Sequence, residues 1–283
     1  MNSSTIFLIF RLKTFQFQAP DQDVRLLVLQ TFQILVDRHN NREKLVELTL
    51  EPTNLDLEGY PNKFDRSDQM FAQKSLYNIF SHFKRVVEEQ SNSIEFLEAI
   101  YTTCVLLHVE TSATDESALY LLDLVDSVQG IAITNMNLST ENRFALHAIA
   151  VCLLALLSAT VNIAELDGYL DGIVQARADK APHMLPPLNE EYHPGLNPNT
   201  PEEDFLIDSA QIKEALKNAG KDVQRIDSLP GGVGRVGRAS PSGRNSWAAA
   251  DPPLPLSNST SRRPSTVSST STGVDYAVSD FFH

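Results

Sequence analysis

The chain has 283 residues and a formal charge of −13, with 42% hydrophobic and 21% charged residues. That balance supports a packed core and excludes disorder along the whole length, and the negative sign argues against nucleic-acid binding, which needs a basic stripe to neutralise phosphates. Two cysteines, Cys104 and Cys152, are too few for a disulfide scaffold or a cysteine metal site. Their apolar surroundings read as buried thiols of a reducing compartment.

Residues 1–20 read as an atypical leader. The apolar run Ile6–Phe10 is shorter than a signal-peptide core, and its positive charges, Arg11 and Lys13, follow it. Residues 21–181 read as a helical body. Val24–Val36 is apolar on more than one side, which predicts a helix sandwiched between neighbours. A polar interval, Asp37–Ser67, contains Pro52, Gly59 and Pro61 and reads as a loop. Three helix faces follow at the i, i+3, i+4, i+7 spacing: Leu76, Ile79, Phe80, Phe83 and Val87; Leu97, Ile100, Tyr101, Cys104 and Leu107; Ala118, Leu121, Leu122, Val125 and Val128. Ser93, Thr114 and Ser139 sit where N-caps belong, with acidic residues in the next turn. Phe144–Ala164 approaches the ~20 residues of a membrane span, but its flanking polar residues favour a buried core helix. No β-type alternation or hairpin turn is present. The fold class is all-α, with irregular HEAT or armadillo-like helical repeats.

At Pro182 the composition changes. Six prolines between 182 and 201 predict a stiff, extended linker over 182–207. A short isolated helix over 208–220 follows. Asp208 and Gln211 have capping-box spacing and Gly220 closes the helix, with Ile212, Ala215, Leu216 and Ala219 offered to a partner or to the body. Residues 221–283 read as a disordered tail, since eleven of the sixteen residues 257–272 are Ser or Thr. The tail holds seven Lys+Arg and five Asp+Glu, leaving 16 against 31 in residues 1–220, a net of −15. An acidic body is poorly suited to anionic lipid, so direct membrane insertion is not expected.

Catalytic motifs are absent. There is no HExxH and no GxSxG elbow, so no catalytic, metal or cofactor-binding residue is assigned. Gly232, Gly234 and Gly237 spell GxGxxG, but with neither strand before nor helix after, a dinucleotide site is rejected. Acidic pairs such as Glu88-Glu89 and Glu190-Glu191 read as solvated faces. In the tail, Arg262-Arg263-Pro264-Ser265 places two guanidinium groups ahead of a hydroxyl, the pattern basophilic kinases recognise. Ser240 and Ser246, each preceded by an arginine two residues upstream, are weaker candidates.

The segment Thr31–Leu45, TFQILVDRHNNREKL, resembles the rolling blackout (Eighty-five-Requiring-Three) family. The helical body, the Pro-rich break and SRRPSTVSSTS in the tail are similar in order, over about Asp21 to His283. The resemblance implies a non-enzymatic, rod-like scaffold at the cytosolic face of the plasma membrane. It would recruit the type III alpha phosphatidylinositol 4-kinase through a tetratricopeptide-repeat adaptor and hyccin, supporting phosphatidylinositol 4-phosphate synthesis, and in flies phototransduction and synaptic transmission. Family members are much longer, with palmitoylated cysteines and a basic surface in an N-terminal half and an adaptor-binding stretch beyond the Ser-rich tail. The expectation is therefore a C-terminal-half fragment, its first 20 residues unlike the family as from a misassigned start. By itself it should be cytosolic. The rival readings are a generic armadillo-like adaptor unrelated to lipid, and a lipase.

The tail pattern yields a prediction. A basophilic kinase should label the protein in vitro at Ser265, and labelling should fall in Ser265→Ala and when Arg262 and Arg263 become Ala. Equal labelling in all three proteins would reduce the motif to chance.

Overall fold

Asp21 opens the first helix: its carboxylate accepts the backbone N–H groups of Asp23 and Val24, two of the donors a helix start leaves unpaired. The computed structural model describes residues 21–57, 66–89, 92–111, 114–188 and 203–221, all within one unit spanning residues 1–238; a second unit, 239–283, lies outside the described residues. The helices are α1 (Gln22–Val36), α2 (Arg66–Phe71), α3 (Tyr77–Val87), α4 (Ile94–Glu110), α5 (Asp115–Thr134), α6 (Thr140–Val161), α7 (Ala164–Lys180) and α8 (Ser209–Asn218). A π-helical turn, Ala72–Leu76, joins α2 to α3. Among the described residues there is no strand, and the all-α fold class holds.

The expected caps form. Ser93, Thr114 and Ser139 accept the backbone N–H of Phe96, Ser117 and Asn142 at 3.1, 3.1 and 3.2 Å. Leu76, Ile79, Phe80, Phe83 and Val87 are all buried, as the 3.6-residue period requires. Helix α6 is buried on every side, with alanines at 145, 148, 150 and 155 that let neighbours approach closely. It packs against α4, α5 and α7, while α4 also packs on α1 and α5 on α3. By length and composition both α5 and α6 could cross a membrane, but 78% and 83% of their most apolar windows are buried inside this unit. The apolar side chains thus have protein partners already. Asn162, at φ 52°, ends α6 in the left-handed region that asparagine tolerates.

Three expectations are corrected. Helix α1 is not sandwiched: Val28, Leu29, Phe32 and Val36 are buried, but Leu27 and Ile34 are 64% and 63% exposed. Composition gave its apolar breadth but not the number of its neighbours. The stretch 182–207 is not extended throughout. Pro182–Met184 is a 3₁₀ turn with Met184 buried, and Phe205 and Ile207 are buried at the far end. What packs both ends is Arg177, fully buried on the α7 line Leu166, Leu170, Ile173 and Arg177. Its guanidinium donates to the carbonyl oxygens of His147, Met184 and Phe205 at 2.8, 3.1 and 2.9 Å.

Nor is α8 isolated. Ile212 and Leu216 are buried, and Gln129 on α5 exchanges two 2.8 Å bonds with the Ile207 backbone. Ser209 bonds Asp126, and the Asp208 N–H donates to the Tyr169 hydroxyl at 2.6 Å. That last bond takes the donor a capping box would use, so Gln211 turns to the Asp208 carboxylate instead, at 3.2 Å. Gly220, at φ +78°, closes α8 as expected: its N–H bonds Lys217 O and the Lys221 N–H bonds Leu216 O, a Schellman closure.

The buried histidines set the acid response. Burial lowers His82 and His108 to about 4 and, with Arg177 and Arg143 nearby, His147 to about 3. Their folded values lie below the ordinary 6.5, so the unfolded chain binds about three more protons between pH 6.5 and 4, and stability falls as pH falls. Asp126 opposes this, because burial first of all raises it to about 6. Its contribution is present below its ordinary value and lost as pH rises through 6. One carboxylate against three imidazoles leaves acid destabilising by about two protons. Both His147 ring nitrogens are buried without a protein partner, so His147→Leu should change stability little at pH 7.5 and remove about one proton from the acid limb. Urea unfolding at pH 7.5, 6 and 5 measures this, and an unaltered pH slope contradicts it.

Candidate interaction site

Charged and polar side chains of the segment 31–45 gather at one corner, where the chain leaves α1 and meets the end of α4. Gln33, 2% exposed, donates to Ala99 O and Thr103 Oγ1 at 2.9 and 3.0 Å, and its own oxygen accepts Arg42 Nε at 3.0 Å. The Asp37 carboxylate accepts the backbone N–H groups of Asn41 and Arg42 at 2.8 and 3.2 Å, closing a turn in which Asn40 adopts φ 60°. Glu110, 4% exposed at the negative end of α4, is surrounded by donors. Arg38 Nε and His39 Nδ1 lie 3.1 and 2.9 Å from its Oε2, and Asn41 Nδ2 lies 3.4 Å from Oε1. Arg38 also reaches the Glu110 carbonyl oxygen. Polar groups buried this way cost stability unless each finds a partner. The sequence motif is the partner list.

The corner sets the course of residues 45–57. Leu45 is buried, the Val46 carbonyl lies 3.4 Å from Thr102 Oγ1, and the Thr49 backbone bonds the buried Tyr101 hydroxyl. Opposite runs the chain that Arg177 anchors, through the cis Pro186-Pro187 bond to Leu188. Between them lies a groove of about 650 Å³. Val46, Leu48, Leu50, Leu55, Pro187 and Leu188 give it apolar walls, and Glu47, Glu51 and Glu98 line it as well, with no Lys or Arg among the described residues that line it. Such a surface accommodates an extended apolar segment bearing positive charge.

Chemistry is less well served. His108 Nδ1 lies 3.0 Å from Ser117 Oγ and Nε2 lies 3.0 Å from Thr160 Oγ1, a hydroxyl–imidazole pair that sequence spacing did not reveal. Ser117 and His108 are both 0% exposed, and His108 stands at about 4. The pair is a helix-packing contact closed to substrate, with an imidazole far too weak a base for neutral pH. Cys104 and Cys152 are free and buried, and burial pushes both thiols up. Among the described residues no three His, Cys, Asp or Glu side chains come together as metal ligands. Glu89, read as a solvated charge, pairs with the buried Arg25. Ser240, Ser246, Ser265, Arg262, Arg263 and the GxGxxG run lie outside the described residues.

Comparison with known proteins decides the family. The profile "EFR3, armadillo repeat" matches residues 7–217. The chain belongs to the EFR3 family. That is the family the 31–45 motif resembles, also called rolling blackout. The match begins at residue 7, inside the stretch expected to be unlike the family, and ends before the Ser-rich tail. The chain is 32% identical over 234 residues to the protein EFR3 homolog cmp44E of Drosophila melanogaster, covering 81% of this chain and 27% of that protein. It is 29% identical over 209 residues to the protein EFR3 homolog B of Mus musculus, covering 73% and 26%. The chain thus spans about a quarter of the length of these relatives. No solved structure matches it.

The corner is testable by itself. Gln33→Leu removes the bonds to Ala99 O, Thr103 Oγ1 and Arg42 Nε and should destabilise the fold by about 1–3 kcal/mol, on the net worth of roughly 0.5–1.5 kcal/mol per hydrogen bond. The thermal midpoint should drop by several degrees. A midpoint equal to wild type would make the network ornamental.

Proposed function

We propose that this EFR3-family chain is part of a non-enzymatic scaffold that holds a phosphatidylinositol 4-kinase, with a tetratricopeptide-repeat adaptor and hyccin, at the cytosolic face of the plasma membrane. Its contribution to phosphatidylinositol 4-phosphate supply is protein contact, not catalysis. The observation that carries this reading is the armadillo-repeat match over 210 or so residues, 7–217. The buried polar groups support it, because Gln33, Glu110, Gln129 and Arg177 are all engaged in fastening the chain to itself. The acidic body, net −15 over residues 1–220, supports attachment through other parts of the full-length protein or through partners. On this reading the isolated chain is cytosolic. Roles in phototransduction and synaptic transmission in flies belong to the same proposal.

Within this reading the groove beside Glu47 and Glu51 takes a basic, apolar segment of a partner protein, on the ground of its charge. Purified chain should capture the adaptor, hyccin or the kinase in a pairwise pull-down, and Glu47→Lys with Glu51→Lys should weaken that capture at least tenfold. Capture unaffected by the charge reversal moves the contact off the groove. No capture of any of the three favours a generic armadillo-like adaptor, and labelling by a serine-reactive probe would revive the lipase reading.

A further inference from the structure

The carbonyl oxygens around Arg177 answer only part of its cation. A guanidinium carries five N–H donors, and Nε and Nη1 direct theirs at the carbonyls of Phe205, His147 and Met184. Nη2 is shut off from solvent and has no protein partner. His147, whose carbonyl Arg177 holds, is 1% exposed, and neither of its ring nitrogens has a protein partner. Buried polar groups are rarely left alone in folded proteins. Two such side chains at one place between α6 and α7 point to a third species that both contact.

The local charge says what that species is. Arg177, Arg143 and His183 are the groups whose charge reaches His147, and none of them can be negative. Cys152 and Tyr169 stand near Arg177, and burial keeps both protonated at neutral pH. Among the described residues no carboxylate pairs with Arg177. A buried cation without a counter-charge is costly, and the low polarity of the surroundings strengthens its pull on an anion. Those surroundings are apolar on one side: Phe144, Ala181, Met184 and Phe205 form a small cluster apart from the main core.

We infer that Arg177 Nη2 and the His147 ring bind a small monovalent anion of the size of chloride inside the fold. Both groups can donate N–H to it. A water molecule could accept the same bonds but would leave the charge of Arg177 uncompensated. The enclosure excludes phosphate and lipid headgroups, since the donor atoms do not open to solvent. Binding is also linked to protons. Burial and then the field of Arg177 hold His147 at about 3, and an anion beside the ring reverses that field. The bound anion therefore raises the imidazole pKa, and its affinity grows as pH falls.

Thermal melts in sodium chloride and in sodium gluconate test this, at a constant ionic strength of about 0.2 M so that general screening is equal. Chloride should raise the midpoint by about 2 °C or more at pH 7.5, and by more at pH 5.5. In His147→Leu the difference between the two salts should vanish, while His147→Gln, which keeps an N–H, should retain most of it. In gluconate at pH 7.5 the His147→Leu midpoint should stay near that of the parent, which separates loss of the anion from loss of the fold. Equal midpoints in chloride and gluconate overturn the proposal and give the place to water. A chloride effect that survives His147→Leu also overturns it, by assigning the anion elsewhere. Crystals of the protein grown in bromide provide the location: an anomalous peak is expected beside Arg177 Nη2, and its absence there would refute the site.

Discussion

One buried cation ties the second half of this fold together. Arg177 has lost all contact with water, and burial lowers its pKa to about 10, still charged at neutral pH. Its positive charge is stabilised by carbonyl dipoles rather than a carboxylate: His147 from α6, Met184 from the turn after α7, and Phe205 from the returning chain. Three segments separated in sequence therefore converge on one planar group whose fixed donor directions admit little variation. The return of the chain at Phe205 then places Ile207 for Gln129 and Ser209 for Asp126, and α8 docks. Lysine at this position would supply charge without the fork.

The first half depends on a different solution to the same problem. There the buried charge is Glu110 at a helix end where the backbone dipole is already negative. Arg38, His39 and Asn41 approach from the loop after α1 and offset it. In both halves a polar anchor, not apolar area, decides where an irregular segment runs. Helix-on-helix packing around α6 supplies most of the burial, yet it is indifferent to how the loops return. The groove between residues 46–55 and 186–188 exists because each wall is held by one of these anchors.

An armadillo-type body of this sort presents surfaces rather than active sites. The buried Ser117–His108 contact illustrates the difference. Catalysis would need the hydroxyl exposed, the imidazole near its ordinary pKa and donors aimed at developing charge. Packing has removed the first two. Among the described residues the groove and the outer line of α1 are accessible surfaces, one apolar with acidic residues and the other apolar, and both are shapes that proteins recognise.

Much of the fold was legible in sequence because it rests on local rules. The faces of α3, α4 and α5, the caps Ser93, Thr114 and Ser139, and the closure at Gly220 follow from period and from the needs of unpaired backbone groups. The family, too, was readable from residues 31–45, although the reason for that motif was not. Its meaning lies in Glu110, Ala99 and Thr103, some 70 residues away. Tertiary structure alone decided that α1 keeps an open face, that Arg177 folds both ends of the proline-rich stretch back onto the body, and that α8 docks with its capping donor given to Tyr169. Each depends on which partner reaches a buried polar group or an apolar line first. Periodicity states what a helix can bury, and only the arrangement of its neighbours determines what it does bury.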